Sequence, residues 1–503
     1  MKKIGVIVLL LLSVSTMAQQ NARPNIVFIP VDDLRPILGC YGNTNIKTPN
    51  IDRLAKKGIV FNKAYCQQAV CNPSRVSLLT GLRPDSLKVW DLYTDFRTKL
   101  PDAITLPTYF KNNGYTTIGI GKVFHNIFPD AASWSEEMHV QGFPFDPDAV
   151  YTDEPNLSLI AKKKENLIAK NQDRRDQYGI WYIKANATEI GTGTDDSYYD
   201  GAQTTMAIEK LKKLKQQSAP FFLSIGYYKP HLPFTAPKKY WDLYNENELP
   251  VAPNPFPPKN APDFALFGDT ELRNYDDQHD LPKPSENPLS VAKQQQLIHG
   301  YYASVSYVDA QIGRLLDALD TLDLSNNTII ILWGDHGWKL GEHNSWAKQT
   351  NYEIDTRVPL IVSGKIVKAK NQQSNALVEL VDIYPSLCEM AGLPIPNYLQ
   401  GRSFYPLTKD PNIEWKNAAY SQFLMGHFMK KDIGLDDKMG YAIRTQQFRY
   451  VEWYAWKEGV RGAFLARELY NEMTDPNENN NIVSDTQYES VVKKLSAALK
   501  LTY

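Results

Sequence analysis

The chain has 503 residues, 43% hydrophobic and 22% charged, enough for a large core and two or three domains. Its 55 basic and 56 acidic residues leave a formal charge of −1, which excludes a global basic footprint for nucleic acid. Four cysteines (Cys40, Cys66, Cys71 and Cys388) are too few for a disulfide framework at this length.

Residues 1–18 read as a secretory signal peptide. Lys2 and Lys3 begin it, Ile4–Leu12 is apolar, and Ser15-Thr16-Met17-Ala18 offers a small-residue cleavage site. A membrane anchor is the competing reading, but the apolar run falls short of the roughly 20 residues that span a bilayer. Cleavage removes two lysines and no acids, taking the charge from −1 to −3. The mature chain is then exported, to a bacterial periplasm or beyond, with no membrane insertion and no nucleic-acid partner expected. Cys40 and Cys66 form one disulfide or, with Cys388, remain buried free thiols.

Four apolar runs follow, each ending abruptly in charged or imidazole residues. Asn25–Val31 precedes Asp32-Asp33, and Tyr115–Ile120 precedes Gly121-Lys122-Val123-Phe124-His125. Pro220–Tyr228 precedes Lys229-Pro230-His231, and Thr328–Trp333 precedes Gly334-Asp335-His336. Such runs suit strands buried on both faces. Helical patterns lie between them: Pro49–Lys57 with Thr48 as N-cap, Thr105–Asn113 ending at Gly114, Ala202–Gln217, and a long one over Gln294–Leu322. The alternation predicts an α/β fold, a large, mostly parallel mixed sheet flanked by helices. Asp130–Asp196 and Pro250–Pro288 read as polar, irregular insertions that either rim a cleft or decorate the fold. From Ala418 onward, short strands and a terminal helix over Tyr488–Leu501 predict a small antiparallel sheet with a packed helix. The expected boundaries are 1–18 for the signal, 22–412 for the catalytic domain and 413–503 for a C-terminal subdomain.

In open α/β sheets, sites form beyond the carboxyl ends of the strands. Asp32, Asp33, Lys122, His125, Lys229, His231, Asp335 and His336 should therefore meet at one edge. Adjacent carboxylates repel one another without a cation, so Asp32, Asp33 and Asp335 suggest a divalent metal. Lysines and Arg75 suit a tetrahedral anion, and histidines can pass a proton to a departing alkoxide. Cys71-Asn72-Pro73-Ser74-Arg75 is by itself either a helix start with an apolar core or a catalytic signature.

Those segments together resemble the type I sulfatases of the alkaline phosphatase superfamily, over nearly all of the mature length. Val31-Asp32-Asp33-Leu34-Arg35-Pro36, Gly121–His125, Lys229-Pro230-His231, Tyr302–Tyr307 and Asp335–Trp338 with Trp346-Ala347-Lys348 look most like the iduronate-2-sulfatase branch. The resemblance implies that a maturating enzyme oxidises Cys71 to formylglycine, whose hydrate attacks sulfur. It implies Asp32, Asp33, Cys71, Asp335 and His336 as ligands of one Ca²⁺, with Mg²⁺ or Mn²⁺ as alternatives because His336 is a softer ligand. Arg75 would orient the formylglycine, and Lys122 and Lys348 would bind sulfate oxygens. His231 would protonate the leaving oxygen, and His125 would assist breakdown of the sulfated intermediate. Trp338 is expected to touch sugar or to pack in the core. The implied function is hydrolysis of sulfate esters on a sulfated polysaccharide or oligosaccharide, with 2-O-sulfate on a uronic acid of a glycosaminoglycan foremost. A marine polymer such as ulvan or carrageenan, a phosphonate or phosphodiester reaction on the same scaffold, and a non-catalytic glycan-binding relative are the alternatives.

Overall fold

All seven residues of Asn25–Val31 are buried because both faces of this strand are covered. Val27, Ile29 and Val31 enter one core, and Ile26 and Phe28 enter another on the opposite side. Alternate side chains of a strand point to opposite faces, so a continuous apolar run is what a doubly covered strand requires. The computed structural model describes residues 23–125, 128–138, 150–172, 183–266, 270–426, 437–457 and 459–503. The expected signal peptide, residues 1–18, lies outside them.

The strands in chain order are β1 (Asn25–Val31), β2 (Gly58–Tyr65), β3 (Thr116–Gly121), β4 (Thr188–Gly191), β5 (Phe221–Gly226), β6 (Phe234–Pro237) and β7 (Thr328–Gly334). They continue as β8 (Arg357–Val358), β9 (Leu360–Ser363), β10 (Gln372–Glu379), β11 (Ala419–Met425), β12 (Lys438–Arg444), β13 (Phe448–Lys457) and β14 (Val460–Asn471). One sheet runs in the order β10-β2-β9-β7-β1-β5-β3, with β8 beside β2. The β7-β1-β5-β3 half is parallel, whereas β9 is antiparallel to both β7 and β2. This is the expected mixed, mostly parallel α/β sheet. Residues of the helices Pro49–Lys56, Tyr199–Leu214 and Val291–Thr321 fill the core on one face. Residues of Cys71–Thr80, Leu106–Asn112 and Ile383–Met390 fill the other.

Strands β11 to β14 form the expected second sheet, antiparallel throughout, with the helix Glu489–Thr502 against it. Its first strand reaches across to the stretch before Cys71. The Gln422 N–H donates to Gln67 O at 2.7 Å, and Ser421 Oγ donates to Cys66 O at 2.6 Å.

Three local expectations change. Thr48 does not cap its helix: its hydroxyl accepts from Gly39 N, while Asp309, from the long helix, accepts from the amides of Asn50 and Ile51. The irregular Asp130–Asp196 stretch holds the 16-residue helix Glu154–Ala169, started by Asp153 accepting from Asn156 N, and the strand β4, parallel to β6. All four cysteines are free thiols, and Cys40 is only half-buried. No helix among the described residues is long and apolar enough to cross a membrane.

Candidate active site

The strand ends converge as their order requires. Asp32 and Asp33 leave β1, Asp335 and His336 leave β7, Lys122 leaves β3, and Lys229 and His231 follow β5. Asp33 takes a left-handed backbone, φ 57°, an uncommon state for a side-chain-bearing residue. The turn is held from both sides: Asp33 N donates to Asp335 Oδ1 at 3.1 Å, and Tyr301 Oη donates to Asp33 O at 2.7 Å. Gly121, φ 72°, ends β3; a Cβ there would meet Gly226 O at 2.3 Å, so only glycine lets β3 and β5 close up behind Lys122.

Cys71 is the first residue of the helix Cys71–Thr80, in which all ten residues are buried. Val70, the N-cap residue, provides no side-chain acceptor, so the positive end of the helix dipole lies at Cys71. Cys71 Sγ lies 3.2 Å from His336 Nε2, 3.6 Å from Lys348 Nζ and 3.8 Å from Lys122 Nζ. One turn on, Arg75 Nε meets Asp335 Oδ2 at 2.8 Å, and Nη2 meets Asp32 Oδ1 at 3.1 Å. Its Nη1 also donates to the carbonyls of Lys122 and Val123. Lys122 pairs with Asp32, and Lys348 Nζ lies 2.7 Å from Asp33 Oδ1.

One ligand atom from each of Asp32, Asp33, Cys71 and His336 lies within 4.8 Å of the others. Two features fit this set to a divalent cation. Asp33 Oδ2 is buried with no hydrogen-bond partner among the described residues. His336 Nδ1 faces the Gly337 carbonyl at 3.1 Å, which can only accept, so Nε2 presents its lone pair to the cluster. Asp335, the remaining expected ligand, adjoins the four, its Oδ2 3.6 Å from His336 Nε2. Its Oδ1 accepts from the amides of Asp33 and His336, and its Oδ2 is taken by Arg75.

Burial alone would raise the Asp32 carboxyl, but Lys122, His231 and Arg75 hold it well below the usual carboxylate range. Burial raises Asp335 despite Arg75. Burial and Asp32 push the Cys71 thiol well up, against Lys122 and Lys348. A thiol so placed stays protonated and is a poor nucleophile as it stands. Burial, reinforced by Lys122, drops His125 to about 3, which leaves its imidazole neutral.

His231 Nδ1 lies 2.7 Å from Leu232 O, and its Nε2 lies 2.9 Å from Glu271 Oε1. Asp200 accepts from the amides of Tyr228 and Lys229 and so fixes the loop that carries His231. Lys229 turns away, donating to Pro233 O and His231 O. Trp338, expected either to touch sugar or to pack in the core, is packed. It is 1% exposed and packs edge-on to Phe234, with Lys348 Nζ 5.3 Å above its ring. It forms the floor beneath that lysine.

Glu271 was not legible in the sequence. It sits in the short turn Thr270–Arg273 of the Pro-rich insertion, and its Oε2 lies 3.3 Å from Lys348 Nζ. A lone acid in a loop carries no periodic or motif signal. The two insertions meet behind it: Asp276 N donates to Ala185 O, Ala187 N donates to Asp277 Oδ1, and Lys163 pairs with Asp276.

The Sulfatase family pattern matches residues 24–393, and the pattern for the C-terminal part of N-sulphoglucosamine sulphohydrolase matches residues 341–502. The chain is 35% identical over 524 aligned residues to human iduronate 2-sulfatase, covering 92% of each protein. A solved protein bound to its substrate D-glucosamine-2-N,6-O-disulfate superposes with a TM-score of 0.69 at 24% identity, over 95% of this chain and 97% of that one. The phosphonate monoester hydrolase of Agrobacterium radiobacter superposes with a TM-score of 0.70 at 21% identity, over 95% of each chain. At these identities the two structures speak for the alkaline phosphatase-like fold alone.

Proposed function

The chain belongs to the sulfatase family and hydrolyses sulfate esters; from this we propose that its substrate is a 2-O-sulfated uronic acid residue in a glycosaminoglycan or its oligosaccharides. The end-to-end similarity to human iduronate 2-sulfatase carries the choice of substrate. We further propose that Cys71 is converted by a maturating enzyme to formylglycine, and that Asp32, Asp33, Asp335 and His336 hold one Ca²⁺ beside it. The aldehyde hydrate would supply an oxygen nucleophile, and the ion would supply positive charge where the sulfate's negative charge builds up.

The chain's own residues do the rest. Arg75, locked between Asp32 and Asp335, sets the direction in which residue 71 points. Lys122 and Lys348, 3.8 and 3.6 Å from Cys71 Sγ, flank the place where the transferring group sits and bind its oxygens. His231 uses Nδ1 on Leu232 O and so has only Nε2 with which to donate a proton to the leaving oxygen. His125, neutral and with Nδ1 unpartnered among the described residues, is the base available for the second half of the cycle.

The test is turnover of defined 2-O-, 4-O- and 6-O-sulfated oligosaccharides with product mapping. Sulfate release confined to 2-O positions of uronic acids is expected. Release from 6-O positions alone would overturn the substrate and leave the sulfatase intact. His336, a nitrogen ligand among carboxylates, favours one second reading, a phosphodiester or phosphonate reaction with a softer metal. Faster hydrolysis of an aryl phosphodiester than of an aryl sulfate would establish it.

A further inference from the structure

The floor of the site is closed and one edge is open. The side chains of Asp32, Arg75 and Asp335 are 0% exposed, whereas His231 is 24% and Glu271 is 19% exposed. The alcohol portion of a sulfate ester therefore enters past His231 and Glu271. His231 Nδ1 is committed to a backbone carbonyl, so the ester oxygen must take the Nε2 proton. That same Nε2 lies 2.9 Å from Glu271 Oε1, so an ester oxygen that takes this proton replaces Glu271 as its partner and comes to rest beside the carboxylate.

Glu271 cannot easily withdraw. Its Oε2 lies 3.3 Å from Lys348 Nζ, and its backbone carbonyl accepts from Lys184 Nζ at 3.5 Å. The next residue, Leu272, is buried in the core, and Arg273 donates to Leu281 O and Pro282 O. Gauche oxygens on neighbouring carbons of a sugar ring lie about as far apart as two hydrogen-bonded oxygens. The oxygen next to the ester oxygen thus falls within reach of Glu271. A hydroxyl there donates to the carboxylate. A second sulfate there meets like charge and offers no donor.

We propose that Glu271 determines specificity by accepting a hydrogen bond from the hydroxyl vicinal to the sulfate ester, so that the enzyme selects esters whose neighbouring hydroxyl is free. This rests on the reading of His231 as donor to the leaving oxygen. It adds a substrate feature that this reading does not contain. A site built to pair with a hydroxyl rejects the analogue that lacks it, because its own polar group is left unpaired.

The experiment measures kcat/KM for three 2-O-sulfated uronic acid glycosides that carry at C3 a hydroxyl, a hydrogen or a second sulfate. Wild type is compared with Glu271→Gln and Glu271→Ala. The readout is the ratio between substrates, in which any misfolded fraction cancels. Wild type is expected to favour the hydroxyl over the hydrogen by about tenfold to a hundredfold, the usual worth of a hydrogen bond to a charged group. It should favour the hydroxyl over the second sulfate by at least as much. Glu271→Ala should bring both ratios to within about threefold of unity, whereas Glu271→Gln, which keeps an acceptor but no charge, should lower them in part. Wild-type turnover with no preference, or a preference that survives undiminished in Glu271→Ala, overturns this proposal alone. Absence of wild-type turnover on all three glycosides overturns the substrate reading and this proposal with it.

Discussion

Arg75 Nε lies 2.8 Å from Asp335 Oδ2, and neither side chain is open to solvent. Asp335 is in turn the acceptor for the amides of Asp33 and His336, so the pair braces two strand ends at once. Removing one partner of a buried pair leaves the other charge uncompensated, at about 3–5 kcal/mol. Arg75→Ala is expected to lose stability on that scale as well as activity. Denaturant unfolding of the variant checks it; a loss below about 1 kcal/mol would show that Arg75 serves only the chemistry.

Cys71→Ser separates the aldehyde from the fold. Serine is close to isosteric with cysteine and keeps a nucleophilic oxygen, but it lacks the second hydroxyl that lets a hydrate expel sulfate. The variant should take up one sulfate from substrate, visible by intact mass, and then stop. Repeated turnover by Cys71→Ser would sink the formylglycine role.

A cation bound only by the native state raises the unfolding midpoint as its concentration rises, by about 2.7 kcal/mol at a hundred times its Kd. Titration of chelator-treated protein with Ca²⁺ should show this rise, and Asp33→Asn should remove it. A midpoint that ignores Ca²⁺ but follows Mn²⁺ would reassign the ion, and one that ignores both would remove the metal site.

Glu478 sits in a buried ionic group that joins the two sheets. Its Oε1 is 2.7 Å from Arg449 Nε, and its Oε2 accepts from Glu353 N. Burial, reinforced by Glu353 and opposed by Arg449, pushes it up to about 7. A carboxyl raised in the folded state binds its proton more tightly there than when unfolded. Its stabilisation is full below its unfolded value and is lost as pH rises through about 7. Wild-type stability should therefore fall between about pH 4.5 and 7, and Glu478→Gln should flatten that slope. A slope that the substitution leaves unchanged would contradict the assignment.

Trp338→Phe should leave KM for sugar sulfates within about twofold, since the indole is sealed beneath Lys348. A KM rise of tenfold or more would restore the sugar-contact role.

The parts of this molecule that were legible in its sequence are those with a one-dimensional signature. β1, β5 and β7 announce themselves as apolar runs because both faces are buried, and the polar residues at their ends mark the site. The helix Glu154–Ala169 was hidden because only Asn156 and Ile160 of its 16 residues are buried, too thin a stripe to show a period. Thr48 looked like a cap, and a tertiary partner, Asp309, took the role. Glu271 acquires meaning only when two insertions pack together beside His231.

The strand that crosses from the second sheet onto residues 66–68 has a consequence in time as well as in space. In the folded chain, with Ser421 and Gln422 bonded to Cys66 and Gln67, Cys71 is 3% exposed and all ten residues of its helix are buried. A maturating enzyme finds no grip on a side chain held in that way. The proposed oxidation of Cys71 needs access to this side chain, so on that proposal it precedes the docking of Ala419–Met425. On the same proposal, a chain that folds ahead of its modification stays inactive when the enzyme is supplied afterwards.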